Sequence, residues 1–422
     1  MKYKISVIGL GYVGLPLAYE LSKYFDVVGF DIDKTRVEQL LNNIDKNTQI
    51  SKLNLKKSNF TITSNSKLIK DSNVYVVTVP TPIKKNKTPD LSPLIKSSKL
   101  ISKCVNKKDT IIYESTMYPG LTDEILIPLI EKISKLKINK DFYVGYSPER
   151  ISPGEPLKSL TNIKKVISGS SPRSIQILKN IYKKIIKAGI YIAPNIKTAE
   201  ASKILENMQR DLNISLINEA SIIFDKLNIN TYEVISAAQT KWNFIKLTPG
   251  LVGGHCISVD PYYMKFKAEK LGYKPAVISS GRKINENMAL YIAKKIMIFF
   301  RDKKQSKFQL GIMGLTFKEN CSDTRNSQVF KIIDFFKNKN IDVEILDPWV
   351  NKQLIKNNNI KQRIVEKFTK KLDCLLIAVA HKKFTKLRKN FYVHNMKKNS
   401  LIFDVKNILK NNSFKNIEKL TL

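Results

Sequence analysis

Cysteine and histidine are scarce, with four and three in 422 residues. The cysteines, Cys104, Cys256, Cys321 and Cys374, lie far apart and form no C-x-x-C pair. With so few histidines, no metal site is expected. Long apolar runs are also missing: nothing approaches the roughly 18 residues of a membrane span. The N-terminus, Met1-Lys2-Tyr3-Lys4, shows no apolar signal region followed by a small-residue cleavage site. A cytoplasmic protein without membrane association is therefore expected. Acidic residues are few as well, 36 against 73 Lys and Arg, giving a formal net charge of +37. That surplus raises nucleic-acid binding as a class. However, it is mostly Lys, travels with abundant Ile and Asn, and is spread along the chain with no basic arm. No nucleic-acid partner is expected. The charge can still attract anionic substrates and cofactors.

The chain is too long for one core, so two or three domains are expected. Ile5-Ser6-Val7-Ile8-Gly9 reads as a buried strand, followed by glycines and an apolar helix. Val27-Val28-Gly29-Phe30-Asp31 is a second strand ending in an acid, and strands at Val74–Val79 and Thr110–Glu114 follow. Strands alternating with helices imply a parallel, doubly wound sheet. The same order returns near the C-terminus. Leu310-Gly311-Ile312-Met313-Gly314 corresponds to the first strand and Val343-Glu344-Ile345-Leu346-Asp347 to the second, again ending in Asp. Cys374–Val379 and Leu401–Asp404 complete a loose repeat. The expected fold class is thus α/β: two Rossmann-like doubly wound parallel-sheet domains joined by a central helical domain. Two such units suggest two nucleotide-like ligands. In the middle stretch, Ile204, Leu205, Met208, Leu212, Leu216 and Ile223 keep a helical spacing. A further helix is expected over 280–300. The domain bounds read as 1–190 for the cofactor domain, 191–300 for the central helical domain and 301–422 for the C-terminal domain.

Gly9-Leu10-Gly11-Tyr12-Val13-Gly14 is a G-x-G-x-x-G motif. It follows a strand, precedes a helix, and has Asp31 about 20 residues on, the context of a dinucleotide site. The glycines let the backbone approach a pyrophosphate at a helix N-terminus. Asp31 can accept from ribose hydroxyls and would repel a 2′-phosphate, which favours NAD over NADP. Arg36, close by, is a further cofactor-binding candidate that keeps NADP open.

The stretch richest in chemistry is Pro249-Gly250-Leu251-Val252-Gly253-Gly254-His255-Cys256, with Asp260 four residues on. Glycines ahead of a cysteine make a close-approach loop. A cysteine nucleophile beside a nicotinamide points to aldehyde-level oxidation: thiolate addition, loss of hydride, and hydrolysis of a thioester. Cys374, in an apolar run, reads instead as a small buried residue.

Along essentially its whole length the chain resembles the UDP-glucose/GDP-mannose dehydrogenase family. The matching stretches are Gly9–Gly14, the Asp31 strand end, Val79-Pro80-Thr81-Pro82, Glu114-Ser115-Thr116, Ser147-Pro148-Glu149-Arg150 and Glu200-Ala201-Ser202-Lys203 with Asn207. The Cys256 loop and Gly314-Leu315-Thr316-Phe317-Lys318 with Asp323-Thr324-Arg325 complete the set. Thr240-Lys241-Trp242-Asn243-Phe244 before the loop looks most like enzymes acting on UDP-N-acetylhexosamines. One departure is Ser258, where that group commonly has Gly; it is expected to tighten the loop.

The resemblance implies roles. Cys256 is the nucleophile, with Lys203 and Asp260 supporting proton transfer and the developing oxyanion. Asn207, one helical turn after Lys203, offers its amide to that oxyanion. Glu149 is the base for thioester hydrolysis and Thr116 orients water. The cofactor residues are Gly9, Gly11, Tyr12, Val13, Gly14, Asp31, Arg36, Thr81, Thr116 and Arg325. The sugar-nucleotide residues are Glu149, Arg150, Lys203, Asn207, Lys241, Gly253 and Lys318. The implied activity is oxidation of a UDP-sugar at C6, alcohol to carboxylate, with two NAD reduced, for surface-polysaccharide synthesis. A homodimer or higher homo-oligomer through the central helices is expected. UDP-glucose remains an alternative substrate. A hydroxy-acid type dehydrogenase, a nucleotide-sugar epimerase and a basic binding protein on a degenerate enzyme fold are the competing classes. Two, one or no NADH per sugar separates the three enzyme types.

Overall fold

The computed structural model of the chain describes residues 2–47, 50–151, 160–350, 355 and 362–422. They form two compact units, Met1–Glu206 with Tyr262–Lys274, and Asn207–Pro261 with Pro275–Leu422. Each is built on one sheet.

The first sheet has eight strands: β1 (Lys4–Ile8), β2 (Asp26–Phe30), β3 (Thr61–Thr63), β4 (Val74–Val77), β5 (Thr110–Tyr113), β6 (Tyr143–Tyr146), β7 (Lys165–Gly169) and β8 (Ile190–Ile192). Their order is β3-β2-β1-β4-β5-β6-β7-β8. The first six strands follow the doubly wound dinucleotide-binding order, which reverses between β1 and β4. All pairings are parallel except β6 with β7, which is antiparallel. The strands are continuous apolar runs because helices cover both faces. The helix Gly14–Ser22 buries Leu15, Leu17, Ala18 and Leu21, a spacing that aims one stripe at Ile5, Val7 and Val27 in the same core. The helix Pro172–Ile185 starts on a capping box, Ser171 with Ser174, and Pro172 sits where its missing N–H costs nothing.

The second sheet has five strands: β9 (Leu310–Met313), β10 (Val343–Leu346), β11 (Leu372–Ile377), β12 (Met396–Asp404) and β13 (Ile417–Thr421). Their order is β10-β9-β11-β12-β13, all parallel, with the reversal between β9 and β11. One core lies against the helices Ala276–Asp302 and Val329–Lys337, and a second on the opposite side holds Met313, Leu375, Ile377 and Tyr392. The α/β expectation with two doubly wound sheets is therefore borne out.

The repeat holds in detail. Gly9 and Gly314 end their strands at positive φ, +98° and +95°. Gly9 N donates to Phe30 O at 2.8 Å, and Gly314 N to Leu346 O at 2.9 Å. Leu10 N donates to the Asp31 carboxylate at 2.8 Å, and Leu315 N to that of Asp347 at 2.6 Å.

The middle stretch forms the helix Ile196–Lys226. Its spacing is helical as expected, but Leu205, Leu216 and Ile223 face solvent. The second long helix, Ala276–Asp302, extends beyond the expected 280–300. No helix among the described residues is long and apolar enough to cross a membrane.

Candidate active site

The Gly-rich loop is built for a close ligand. A Cβ on Gly14 would stand 1.8 Å from Gly9 O and 2.3 Å from Thr78 Oγ1, so only glycine lets the helix begin so near the strand. A Cβ on Gly11 would meet nothing within 4 Å, which leaves its side of the loop open. Asp31 is fixed by Leu10 N at one oxygen and Asp33 N, 2.9 Å, at the other. Its half-buried carboxylate stands at the end of β2, where a ribose hydroxyl pair would need an acceptor. The donors and acceptors of this loop fit NAD. Arg36, by contrast, is buried: Nε donates to Leu10 O at 2.9 Å and a terminal nitrogen pairs with Asp45 at 2.8 Å. It braces the loop from below. Tyr12, Val13 and Thr81 are half-buried around the same strand ends.

Three further strands of this unit bring charged side chains together. Glu114 follows β5, Glu149 follows β6 and Lys165 opens β7. Lys165 Nζ lies 2.8 Å from an oxygen of each carboxylate, and all three side chains are buried. Tyr182 donates its hydroxyl proton to the other oxygen of Glu114. Burial pushes the Glu114 carboxyl up, more than the Lys165 charge pulls it down. For Glu149 burial also acts upward. The Lys165 charge and hydrogen bond, the Arg150 amide and the Lys203 charge outweigh it, and the carboxyl ends below its ordinary range. Lys165, although buried, is held protonated by its two partners. Thr116 is buried on the loop after β5. Arg150 pairs with Glu206 at 2.7 Å and donates to Lys164 O. Glu200 stands three residues before Lys203 on the helix Ile196–Lys226. It accepts from Gly120 N at 2.6 Å, Thr122 N at 3.1 Å and Thr122 Oγ1 at 2.6 Å, and so ties the loop after β5 to the helix that carries Lys203.

The second unit holds the thiol. Residues 254–259 form a run of turns leading into the helix Asp260–Lys270. Gly254 has φ +84°, and a Cβ there would come within 2.6 Å of the Phe317 ring, so the loop can lie on Phe317 only as glycine. Gly253 packs as closely on Asn326 O. Ser258, which stands where the N-acetylhexosamine enzymes commonly have Gly, is buried and donates to Gly254 O at 2.5 Å, closing the turn around Cys256. Cys256 is exposed, whereas Cys104, Cys321 and Cys374 are buried. Burial pushes those three thiols up, Cys374 furthest. His255 is pulled down to about 4, by burial first and then by the Arg325 charge, and stays neutral at pH 7. Asp260 accepts from Asn207 Nδ2 at 2.6 Å. That uses one of the two amide hydrogens of Asn207.

A cavity of about 110 Å³ opens at the carboxyl ends of β9 and β11, lined among others by Gly253, Thr316, Phe317, Gln328, Val379 and Lys406. This is the reversal point of the second sheet, where open α/β sheets bind ligands. Lys406 Nζ donates to Pro249 O at 3.1 Å, and burial pulls its pKa down. Lys318 is half-buried on the neighbouring loop, Arg325 forms a two-pronged pair with Asp323, and Lys241 is exposed. Lys165, Tyr182 and Lys406 were missed by the sequence reading. Nothing distinguishes a buried or half-buried lysine among so many basic residues until the strands are assembled.

The first sheet with its Gly-rich loop, and a second sheet with a cavity at its reversal point, are the frame of a dinucleotide-dependent dehydrogenase. The chain belongs to the UDP-glucose/GDP-mannose dehydrogenase family. Residues 3–186 match its NAD binding domain, 197–287 its central domain and 311–411 its UDP binding domain. The chain is 42% identical over 422 residues to Protein CapL of Staphylococcus aureus, covering 100% of this chain and 99% of that one. It is 44% identical over 413 residues to a UDP-N-acetyl-D-glucosamine 6-dehydrogenase of Pseudomonas aeruginosa, covering 96% and 97%. Among solved structures, a UDP-D-ManNAc dehydrogenase from Pyrococcus horikoshii superposes with a TM-score of 0.88 at 29% identity, covering 99% of each chain. The protein is thus an NAD-dependent UDP-sugar dehydrogenase.

Proposed function

We propose that the chain oxidises C6 of a UDP-N-acetylhexosamine from alcohol to carboxylate through a thioester on Cys256. The observation that carries this reading is the exposure of one thiol, Cys256, on a glycine turn, in a chain that also holds a buried glutamate kept ionised, Glu149. A dehydrogenase stopping at the aldehyde needs neither group. The 44% identity to a UDP-N-acetyl-D-glucosamine 6-dehydrogenase supports the 2-acetamido sugar.

NAD, when bound at the Gly9–Gly14 loop and Asp31, supplies the hydride acceptor. Lys203 and Asp260 take up and return the proton of the C6 hydroxyl, and the second amide hydrogen of Asn207 steadies the developing oxyanion. Cys256 adds to the aldehyde, and the resulting hemithioacetal is oxidised to the thioester, its hydride passing to a second NAD and its hydroxyl proton to the same two residues. Glu149 draws a proton from water oriented by Thr116, and the hydroxide releases the uronate. Arg150, Lys241, Gly253 and Lys318 are assigned to the sugar nucleotide, whose nucleotide portion is placed over the mouth of the cavity beside Lys406. Arg325 is assigned to the cofactor.

The domains 1–190, 191–300 and 301–422 are proposed as the cofactor, central and sugar-nucleotide portions, and the three family matches support them. Exposed Leu216 and Ile223 on one long helix and Leu290 and Ile298 on the other support a homodimer. The product, a UDP-uronate, suits surface-polysaccharide synthesis from a cytoplasmic pool.

The test is a panel of UDP-N-acetylglucosamine, UDP-N-acetylgalactosamine, UDP-glucose and GDP-mannose, with NADH followed by absorbance and the sugar product weighed by mass spectrometry. Two NADH per UDP-N-acetylhexosamine, with a carboxylate product, are expected. One NADH per sugar, with an aldehyde or ketone product, would overturn the four-electron reading.

A further inference from the structure

Two glutamates share one lysine in the interior of the first unit. The antiparallel step in the sheet is what brings them together. The register Gly145↔Gly169 and Tyr146↔Ser168 brings the start of β7, with Lys165, beside the segment that leads from β6 to Glu149. Had β7 run parallel, its first residue would lie at the other end of the sheet. Glu114, from the next strand over, completes the group, with Lys165 Nζ 2.8 Å from each carboxylate.

Two carboxylates and one ammonium leave one negative charge in excess, and an uncompensated buried charge is costly. The hydrogen bonds are divided unequally between the two acids. Glu149 accepts from two backbone amides, Arg150 N at 2.7 Å and Ile151 N at 2.9 Å, besides Lys165. Glu114 accepts from Lys165 and from the neutral Tyr182 hydroxyl. The helix Ile196–Lys226 adds the Lys203 charge on the side of Glu149. The helix Pro172–Ile185 adds only Tyr182, whose ring also lies 5.2 Å from Lys165 Nζ. The backbone donors and the additional charge therefore favour ionised Glu149 over ionised Glu114.

We propose that Lys165 is a positioning residue that keeps Glu149 a carboxylate, and that Glu114 is the member of the pair that takes a proton when the site gains one. Burial and charge act in the same sense, raising the Glu114 carboxyl and leaving that of Glu149 low. The inference rests on the reading of Glu149 as the base for thioester hydrolysis.

The experiment follows loss of the Cys256 acyl adduct by quenched mass spectrometry, in single turnovers of the full-length enzyme across pH. Lys165→Met is expected to move the rising limb of hydrolysis to higher pH by about one unit or more, with recovery at alkaline pH. Lys165→Arg keeps the limb near its wild-type position. Glu114→Gln mimics the protonated acid and leaves the limb near its wild-type position, because Glu114 is already neutral when Glu149 titrates. A displaced limb with recovery at alkaline pH is not what a packing defect produces, and Lys165→Gln carries the same test if Lys165→Met does not fold. An unchanged limb in the lysine variants, or a limb moved to lower pH in Glu114→Gln, would overturn the inference. Glu149→Gln separates the two levels. If it hydrolyses the adduct at the wild-type rate, the base assignment itself falls. If it traps the adduct while Lys165→Met leaves the limb in place, only the role of Lys165 and Glu114 falls.

Discussion

At the scale of single residues, exposure decides which thiol can act. Three cysteines are buried with their thiols pushed up, and Cys256 is the exposed one. His255, next to it in the chain, is neutral at pH 7 and so offers the thiol no imidazolium charge. Cys256→Ser keeps the size of the side chain and loses the thiolate. Turnover is expected to stall at the aldehyde level, with NADH yield falling from two per sugar towards one. Mass spectrometry should find no acyl group on the Cys104, Cys321 or Cys374 peptides; an acyl group on any of them would move the nucleophile. Cys256, Asp31 and Glu149 were legible in the sequence because each sits in a dense, ordered motif. Lys165 and Lys406 were not. A lysine is usually exposed, and only their partners in the folded chain show that Lys165 is buried and Lys406 half-buried.

At the scale of elements, strand ends and helix starts were legible, and their partners were less so. The apolar runs and their Gly and Asp punctuation gave the order of the first strands. Nothing in Lys165–Gly169 announced a reversed strand, because direction is set by neighbours and not by local composition. The helix Ile196–Lys226 was readable from its period, but not which of its apolar residues face solvent. Glu200 on that helix gives an element-level prediction. Burial, the largest influence, pushes its carboxyl up to about 7 from an ordinary 4.5 despite three hydrogen bonds that favour the anion. The folded state therefore holds the Glu200 proton at pH values where the unfolded chain has released it. This contribution to stability is full below about 4.5 and is lost as pH rises to about 7. Glu200→Gln removes that loss. The drop in Tm between pH 5 and pH 8 is expected to shrink by on the order of 5 °C. An unchanged drop in calorimetry of the unliganded protein would show that Glu200 is ionised throughout.

At the scale of the whole molecule, the repeat implies two nucleotide sites that can be disabled separately. Each sheet places a positive-φ glycine at the end of its first strand and an aspartate at the end of its second. The two sites differ in what surrounds that common frame. Asp31, to which the ribose role is assigned by proposal, is half-buried, whereas Asp347 is buried against His381, whose Nε2 lies 3.3 Å away. Asn320 N donates to Nδ1 of His381, so Nε2 carries the proton and Asp347 is occupied within the protein. An aspartate so engaged is not available to a ribose, and the second cavity must hold its ligand by other groups, Lys406 among them. Asp31→Ala should therefore weaken NAD while leaving UDP binding unchanged. Lys406→Met should do the reverse, weakening UDP by about 10-fold or more, as expected for loss of a hydrogen bond from a charged donor. Calorimetric titration of each ligand into each variant checks both. If either variant weakened both ligands equally, the two sites would not be separable, and the division of labour read from the repeat would fail.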